Sequence, residues 1–185
     1  MKELSLNILD IAENSVKAGA SLTEIRVTEK DGLLTLRIID DGCGMTEEVL
    51  RRVTDPFYTT RTTRKVGMGL PLLKMEAEMT GGEMTVTSRY VGDFPEGHGT
   101  EVTATFYEDH IDFIPLGDVV SSITTLIQGH PDTDFLFDHE SDAFHVTLDT
   151  RELRGILEDV PLNSYEVIMW IDSYLREQYE EDPLS

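Results

Sequence analysis

The chain has 185 residues, 39% of them hydrophobic, which suits one compact domain or one domain with an appended subdomain. It contains no apolar run of about 20 residues for a membrane span, its first residues lack the long apolar region typical of a signal peptide, and it has one cysteine, so we expect a cytoplasmic protein without membrane contact. The formal net charge of -21 argues against a nucleic-acid surface, which needs clustered cations.

The negative charge is concentrated in the second part of the chain. Residues 1–108 carry 12 Lys/Arg against 18 Asp/Glu (net -6), whereas residues 109–185 carry 3 against 18 (net -15). This acidity has two interpretations that the sequence leaves open: solubility, and a docking surface for a basic partner.

Hydrophobic periodicity and turn residues predict the elements of the first part in chain order. They are a helix over 5–18, strands over 22–29 and 33–39 joined by a hairpin turn, a short helix, a helix over 70–79, and strands over 84–90 and 100–107. Thr46 is placed to cap the short helix, which Pro56 ends. This order indicates an α+β sandwich in which helices cover one face of a mixed sheet.

The second part, residues 109–185, is predicted to be a small acidic α+β subdomain whose role the sequence does not reveal. Its expected elements are a helix over 119–127, a hairpin of strands over 134–138 and 143–148, and helices over 151–157 and 164–179. Asn163 is expected to cap the last helix. The apolar face around Trp170 has two interpretations, core packing and a groove for a partner or a homodimer.

Four short motifs in residues 1–108 carry candidate chemistry. In the first, Asp10, Asn14 and Lys17 lie at i, i+4 and i+7 on one helical face. A carboxylate, a carboxamide and an ammonium on one stripe would suit a metal-bound phosphate group. An ordinary solvent-exposed polar stripe is the alternative interpretation.

The second motif, residues 40–45, follows a strand directly. Its aspartate, Asp40, is suited to accept a hydrogen bond from an exocyclic amine, and its glycines allow a sharp turn close to a planar ligand. A simple Asp-Gly turn is the alternative. Cys43 within it is interpreted as a small residue that fits, with redox sensitivity as the less favoured reading.

The third and fourth motifs are loops rich in glycine. Residues 55–70 begin with Asp55-Pro56, continue with Phe57-Tyr58-Thr59-Thr60, add three cations and end in a Gly-x-Gly that precedes a helix, whose free N–H groups would attract an anion. Gly97-His98-Gly99-Thr100 predicts by itself only a tight turn.

Together, the four motifs resemble the GHKL superfamily in kind, order and spacing over about residues 4–107. Glu13-Asn14-Ser15 with Ala18-Gly19-Ala20, and Asp40-x-Gly42-Cys43-Gly44, are similar to MutL mismatch-repair proteins. Lys17, Phe57-Tyr58-Thr59-Thr60 and Gly67-x-Gly69-Leu70 are similar to sensor histidine kinases. The resemblance implies a Bergerat-type ATP-binding fold in residues 1–108, with ATP and Mg²⁺ as its ligands.

The resemblance also implies a role for each matching residue. Asn14 would coordinate Mg²⁺, Asp40 would accept from the adenine amino group, and Thr100 would support the adenine side. Phe57 would pack the lid, and Gly67 and Gly69 would hold phosphates through their N–H groups. The full set of expected ATP-binding residues is Asn14, Lys17, Asp40, Gly42, Gly44, Met45, Phe57, Thr59, Thr60, Arg61, Lys65, Val66, Gly67, Met68, Gly69, Leu70 and Thr100, with Arg64 as a further cation near the phosphates.

Asp10 is the candidate catalytic base and departs from the superfamily pattern. The ATPase branches usually have a glutamate there, so a side chain one methylene shorter predicts slow turnover. The five histidines follow the first motif, and none shows the phosphoacceptor pattern or metal-ligand spacing. We therefore expect an ATP- or ADP-binding protein that lacks its own phosphoacceptor domain. Three classes stay open: a stand-alone phosphotransferase acting on a protein partner, a slow ATPase or nucleotide-gated switch, and a regulatory module without chemistry.

Overall fold

The structure, a computed structural model, describes residues 3–55 and 68–181. The helices are α1 Leu4–Lys17, α2 Glu47–Arg52, α3 Gly69–Met79, α4 Val119–Gly129, α5 Thr150–Leu157 and α6 Tyr165–Glu180. The strands are β1 Leu22–Lys30, β2 Leu33–Asp40, β3 Met84–Arg89, β4 Gly99–Tyr107, β5 Asp134–Ser141 and β6 His145–Asp149. None of the helices in this part of the chain is long and apolar enough to cross a membrane.

The strands form one mixed sheet in the order β3-β4-β2-β1-β5-β6. All neighbouring pairs are antiparallel except β1 and β5, which run parallel. Strands β1 and β2 are joined by a tight turn in which Asp31 and Gly32 both have positive φ (52° and 75°), as a primed hairpin turn requires. The predicted α+β fold with helices on one sheet face is confirmed.

The core lies between the helices and one face of this sheet. Strand residues alternate in burial, so that Ile25, Val27 and their counterparts on β2, β4 and β5 point inward. Helix α1 buries Leu4, Ile8 and Ile11 at helical spacing against them. The outward residues of β1 and β2 are half-buried or exposed, as expected of a sheet face that the described helices do not cover.

The acidic part of the chain is built into the same sheet and the same core. Strands β5 and β6 extend the sheet beyond β1, and α4 packs against α1. One continuous cluster of buried side chains contains residues of both parts, among them Ile8, Ile25, Phe137 and Ile171. A division near residue 108 stays a prediction.

The predicted cap of the last helix is wrong by one residue. The N-cap of α6 is Ser164, not Asn163, and the Ser164 side chain makes no capping hydrogen bond. The Ser164 N–H donates to the Pro161 carbonyl at 3.2 Å. This turn leaves Ser164 in the extended conformation that precedes a helix, with φ -62° and ψ 145°. Thr46, in contrast, caps α2 as predicted, accepting from the Val49 N–H at 3.4 Å.

Candidate nucleotide-binding site

The predicted polar stripe lies on the side of α1 that faces away from the sheet. Asp10 and Lys17 are exposed and Asn14 is half-buried. Within residues 3–55 and 68–181, no hydrogen bond or ion pair holds any of these three side chains. The stripe therefore offers a carboxylate, a carboxamide and an ammonium that are available to a ligand.

The pKa of the Asp10 carboxyl is raised. Partial burial is the largest cause; Lys17 opposes the shift, and the neighbouring Glu13 carboxylate adds to it. A carboxyl group whose charged form is disfavoured is a better proton acceptor once ionised, as a general base requires.

The N-terminus of α3 lies beside Asp10. A Cβ atom placed on Gly69 would be 3.6 Å from the Asp10 Cβ. Met68, at the N-cap, makes no side-chain capping bond, and Leu70 is buried beneath the first turn. Within residues 3–55 and 68–181, no side chain caps the first N–H groups of α3, and such uncapped groups attract anions.

Eight residues predicted for the lid and phosphate loop lie outside the described residues. They are Phe57, Thr59, Thr60, Arg61, Arg64, Lys65, Val66 and Gly67.

Asp40 ends β2, and its carboxylate is held from two sides. The Ser15 hydroxyl donates to Oδ2 at 2.7 Å, and the Gly42 N–H donates to Oδ1 at 2.9 Å. Each carboxylate oxygen keeps acceptor capacity for another donor. Sequence reasoning included Ser15 in the Glu13-Asn14-Ser15 motif but missed it as a partner of Asp40, because the two residues are 25 positions apart.

Gly42 and Gly44, which were predicted to lie near adenine, allow the loop over 40–45 to pack closely against its neighbours. Gly44 has φ +69°, and a Cβ atom there would lie 2.0 Å from the Arg89 carbonyl oxygen. A Cβ on Gly42 would lie 2.9 Å from the Ala18 Cβ. The loop over 40–45 is thus pressed between α1 and the end of β3, and side chains at these two positions are excluded.

Thr100 stands directly opposite Asp40 in the β2–β4 register. Its hydroxyl is 2.8 Å from the Ser88 hydroxyl, which also accepts from the Met45 N–H at 2.8 Å. Ser88, which the sequence did not single out, therefore links the Met45 end of the loop to Thr100. The structure thus brings Asp40, Met45 and Thr100 together at one end of the sheet.

Asp41, the neighbour of Asp40, serves the fold. It accepts from the Ser21 N–H at 2.7 Å, from the Leu22 N–H at 3.0 Å and from the Ser21 hydroxyl. Partial burial would raise the pKa of Asp41, but these hydrogen bonds outweigh it and lower that pKa. Asp41 thereby fastens the start of β1 to the end of β2.

A cavity of about 410 Å³ opens at this end of the sheet, with Asp40, Ser88, His98 and Thr100 in its wall. Its lining also includes Glu101, which points to the opposite face from Thr100 because successive strand residues alternate. The cavity therefore wraps around the strand ends and adjoins the adenine end of the predicted site, without reaching the stripe on α1.

A mixed sheet covered on one face, with a hydrogen-bonded aspartate at a strand end and a polar stripe on the first helix, is the arrangement expected of a Bergerat-type ATP-binding sandwich. Residues 2–110 match the family of histidine kinase-, DNA gyrase B-, and HSP90-like ATPases, and the chain belongs to this family. The predicted GHKL relationship is confirmed.

Curated relatives of this chain are sensor and sporulation kinases. Over 101 residues the chain is 35% identical to sporulation kinase E of Bacillus subtilis, an alignment that covers 54% of this chain and 13% of that protein. It is 30% identical over 107 residues to histidine protein kinase DivJ of Caulobacter vibrioides, covering 56% and 17%. The chain thus spans only a small part of the length of these kinases.

The fold is also that of a solved MutL ATPase domain from Aquifex aeolicus, complexed with ADP. The TM-score is 0.55 at 16% identity, over 85% of this chain and 70% of that one. Because residues 2–110 are well below 85% of 185 residues, the shared fold extends into the acidic part of the chain.

Proposed function

We propose that this chain binds Mg²⁺·ATP between α1, the loop over 40–45 and the N-terminus of α3, and that it uses ATP as a histidine kinase-like phosphotransferase or a slow ATPase acting on a partner protein. The observation that carries the proposal is Asp40, held at a strand end by Ser15 and Gly42 with acceptor capacity left over. That carboxylate suits an exocyclic amine, as on adenine, and Thr100 lies beside it.

The other end of the site suits phosphates and a hard cation. Asn14 offers a carboxamide oxygen, and oxygen donors are what Mg²⁺ prefers. Lys17, three residues on, supplies a positive charge, while the uncapped first turn of α3 near Asp10 supplies N–H donors. Mg²⁺ would neutralise phosphate charge, and Asn14 is the residue of the described site that would hold it.

Asp10 is the group that would act on a nucleophile. Its carboxylate, with a raised pKa, would accept the proton of an attacking water or of an acceptor side chain. A working proton acceptor at Asp10 distinguishes the phosphotransferase and the slow ATPase from a nucleotide-binding module without chemistry. In this proposal, the residue that receives the phosphate belongs to a partner protein.

Calorimetric titration of Mg²⁺·ATP against the wild type, Asp40→Asn and Asp41→Asn tests the binding. Asp40→Asn replaces the carboxylate, which only accepts hydrogen bonds, with an amide that both donates and accepts. We expect the affinity for Mg²⁺·ATP to fall about 10- to 100-fold, as for loss of a hydrogen bond between adenine and a charged group. Asp41→Asn controls for loosening of the loop, because Asp41 binds the start of β1; the additional loss of affinity in Asp40→Asn then measures the contact with adenine. Absence of ATP binding by the wild type would refute the proposal.

Turnover is measured separately on the same proteins. ADP release without a partner supports the slow ATPase, and transfer of labelled phosphate to an added protein supports the phosphotransferase. Both activities should be lost in Asp10→Asn. Tight ATP binding with neither activity would favour the regulatory module instead.

A further inference from the structure

His98 lies between the two glycines of the loop that precedes β4, and its ring contacts the loop over 40–45. Its Nδ1 atom is 2.5 Å from the Gly42 carbonyl oxygen. A carbonyl oxygen can only accept, so Nδ1 carries the proton and donates. Nothing in the sequence pattern singled out this residue beyond a tight turn.

This contact completes the hydrogen bonding around Gly42. The Gly42 N–H donates to Asp40 Oδ1 at 2.9 Å, and the next N–H, of Cys43, donates to the Ala18 carbonyl at 2.8 Å. With His98 on the Gly42 carbonyl, the two peptide planes that flank Gly42 are held from α1, from Asp40 and from the β3–β4 loop. Among the described residues, His98 is the side chain that donates to the Gly42 carbonyl.

The backbone on either side of His98 fixes where its ring emerges. Gly97 has φ +73° and Gly99 has φ +139°, conformations that other residues rarely adopt. A Cβ on Gly99 would lie 2.0 Å from the Asp40 carbonyl oxygen, so the chain passes directly against the end of β2. His98 is therefore delivered to Gly42 by a backbone that is itself packed on Asp40.

We propose that His98 is a positioning residue for nucleotide binding, which sets the Gly42 peptide and through it the orientation of the Asp40 carboxylate. The inference rests on the proposed function, because it assumes that Asp40 receives the base. Without the His98 donor, the Gly42–Cys43 peptide keeps the Cys43 N–H bond to Ala18 but loses the bond to its carbonyl. The backbone at Gly42 then gains freedom, and the Gly42 N–H holds Asp40 less firmly beside Ser15. Ordering the loop and the carboxylate then opposes binding.

The test compares His98→Ala, His98→Asn and His98→Gln in the full chain. The Asn amide nitrogen is as many bonds from Cβ as Nδ1 is, whereas the Gln nitrogen is one bond further. We expect Ala and Gln to weaken Mg²⁺·ATP binding about five- to tenfold, as for one hydrogen bond of ordinary strength, and Asn to restore most of it. His110→Ala, an exposed histidine beyond β4, is the control.

Amide hydrogen exchange without nucleotide separates the inference from the proposed function. His98→Ala should speed exchange of the Cys43 N–H, which is bonded to Ala18, and His98→Asn should slow it again. Unchanged ATP affinity in His98→Ala, or an Asn variant as weak as Ala, overturns the inference alone. A wild type that does not bind ATP refutes the proposed function and the inference with it, whatever the exchange rates show.

Discussion

Replacing Ser15 with alanine is the sharpest test of how this site is built. Ser15 is only 3% exposed, and its hydroxyl donates to Asp40 Oδ2 at 2.7 Å. The substitution removes this donor and leaves the helix intact, since alanine is the best helix former. Asp40 keeps the Gly42 N–H on its other oxygen, so the carboxylate stays in place but gains freedom to rotate.

The expected size of the effect follows from that freedom. Ordering one released side chain on binding costs about 0.5–1.5 kcal/mol, which weakens Mg²⁺·ATP binding about two- to twelvefold. Folding stability should fall as well. A hydrogen bond to a charged group is worth about 1.5–3 kcal/mol and alanine returns about 0.5 kcal/mol through helix propensity, so urea unfolding should show a loss of about 1–2.5 kcal/mol. Binding is therefore measured under conditions where the variant stays folded.

The assay is calorimetry with ATP and with inosine triphosphate, which carries a carbonyl where adenine carries its amino group. Wild type should prefer ATP, and Ser15→Ala should narrow that preference, because Asp40 then presents its acceptor less well. Ser5→Ala is the matched control: Ser5 is 1% exposed on the same helix, and its hydroxyl donates to Glu3 at 3.2 Å, away from the site. If Ser15→Ala keeps the wild-type affinity and base preference, Asp40 does not recognise the base in the way inferred here.

Three further predictions concern the loop over 40–45, the proposed general base Asp10 and the contact between α1 and the acidic part of the chain. Gly44→Ala places a Cβ at positive φ and 2.0 Å from a carbonyl oxygen, so urea unfolding should show a free energy of unfolding lower by about 2–4 kcal/mol. In the control, Gly19→Ala, φ is +78° but the space is open, so that free energy should fall by about 1 kcal/mol. The pKa of Asp10 is raised in the folded state, so the ionised carboxylate lowers the free energy of unfolding as pH rises through that pKa. Asp10→Asn should therefore abolish turnover but raise the urea midpoint at pH 7. This gain in stability should disappear below the unfolded carboxyl pKa of about 3.9. The His130 Nε2 atom is 2.9 Å from both Glu13 carboxylate oxygens, and a double-mutant cycle of His130→Ala and Glu13→Gln should give a coupling of about 0.5–1 kcal/mol; a coupling of zero would mean that this half-exposed pair contributes nothing in solution.

Local elements could be predicted from the sequence because their patterns are short-range. The spacing of Leu4, Ile8 and Ile11 predicts α1 to within one residue at each end. Alternation around Ile25 does the same for β1, and Thr46 marks the start of α2. Each of these signals depends on residues within one or two turns of each other, which is the range over which periodicity carries information.

Pairing between distant segments could not be predicted in the same way. The parallel pairing of β1 with β5 aligns Ile25 with Phe137 across more than 100 residues, and no local pattern encodes that partner. The contacts of Asp40 show the same limit within the site. Asp40 itself could be proposed from its motif. Ser15, which donates to Asp40, and His98, which donates to the neighbouring Gly42, come from a helix and a loop whose positions only the folded sheet defines.

Helix α1 is the element that joins the candidate site to the acidic part of the chain. One side of it carries Asn14, the proposed Mg²⁺ ligand, while at its beginning the Leu4 and Ser5 N–H groups donate to the Pro115 and Leu116 carbonyls at 2.9 and 2.8 Å.

Near its end, Glu13, the residue directly before Asn14, pairs with His130 at the end of α4. Residues 109–181 therefore hold both ends of the helix that carries the expected metal ligand. These contacts connect the acidic part of the chain to the helix of Asn14, which is what the nucleotide-gated hypothesis needs if a partner docks there. The Glu13–His130 cycle measures the strength of one of these contacts, whereas coupling to nucleotide would be measured as a change in Mg²⁺·ATP affinity in His130→Ala.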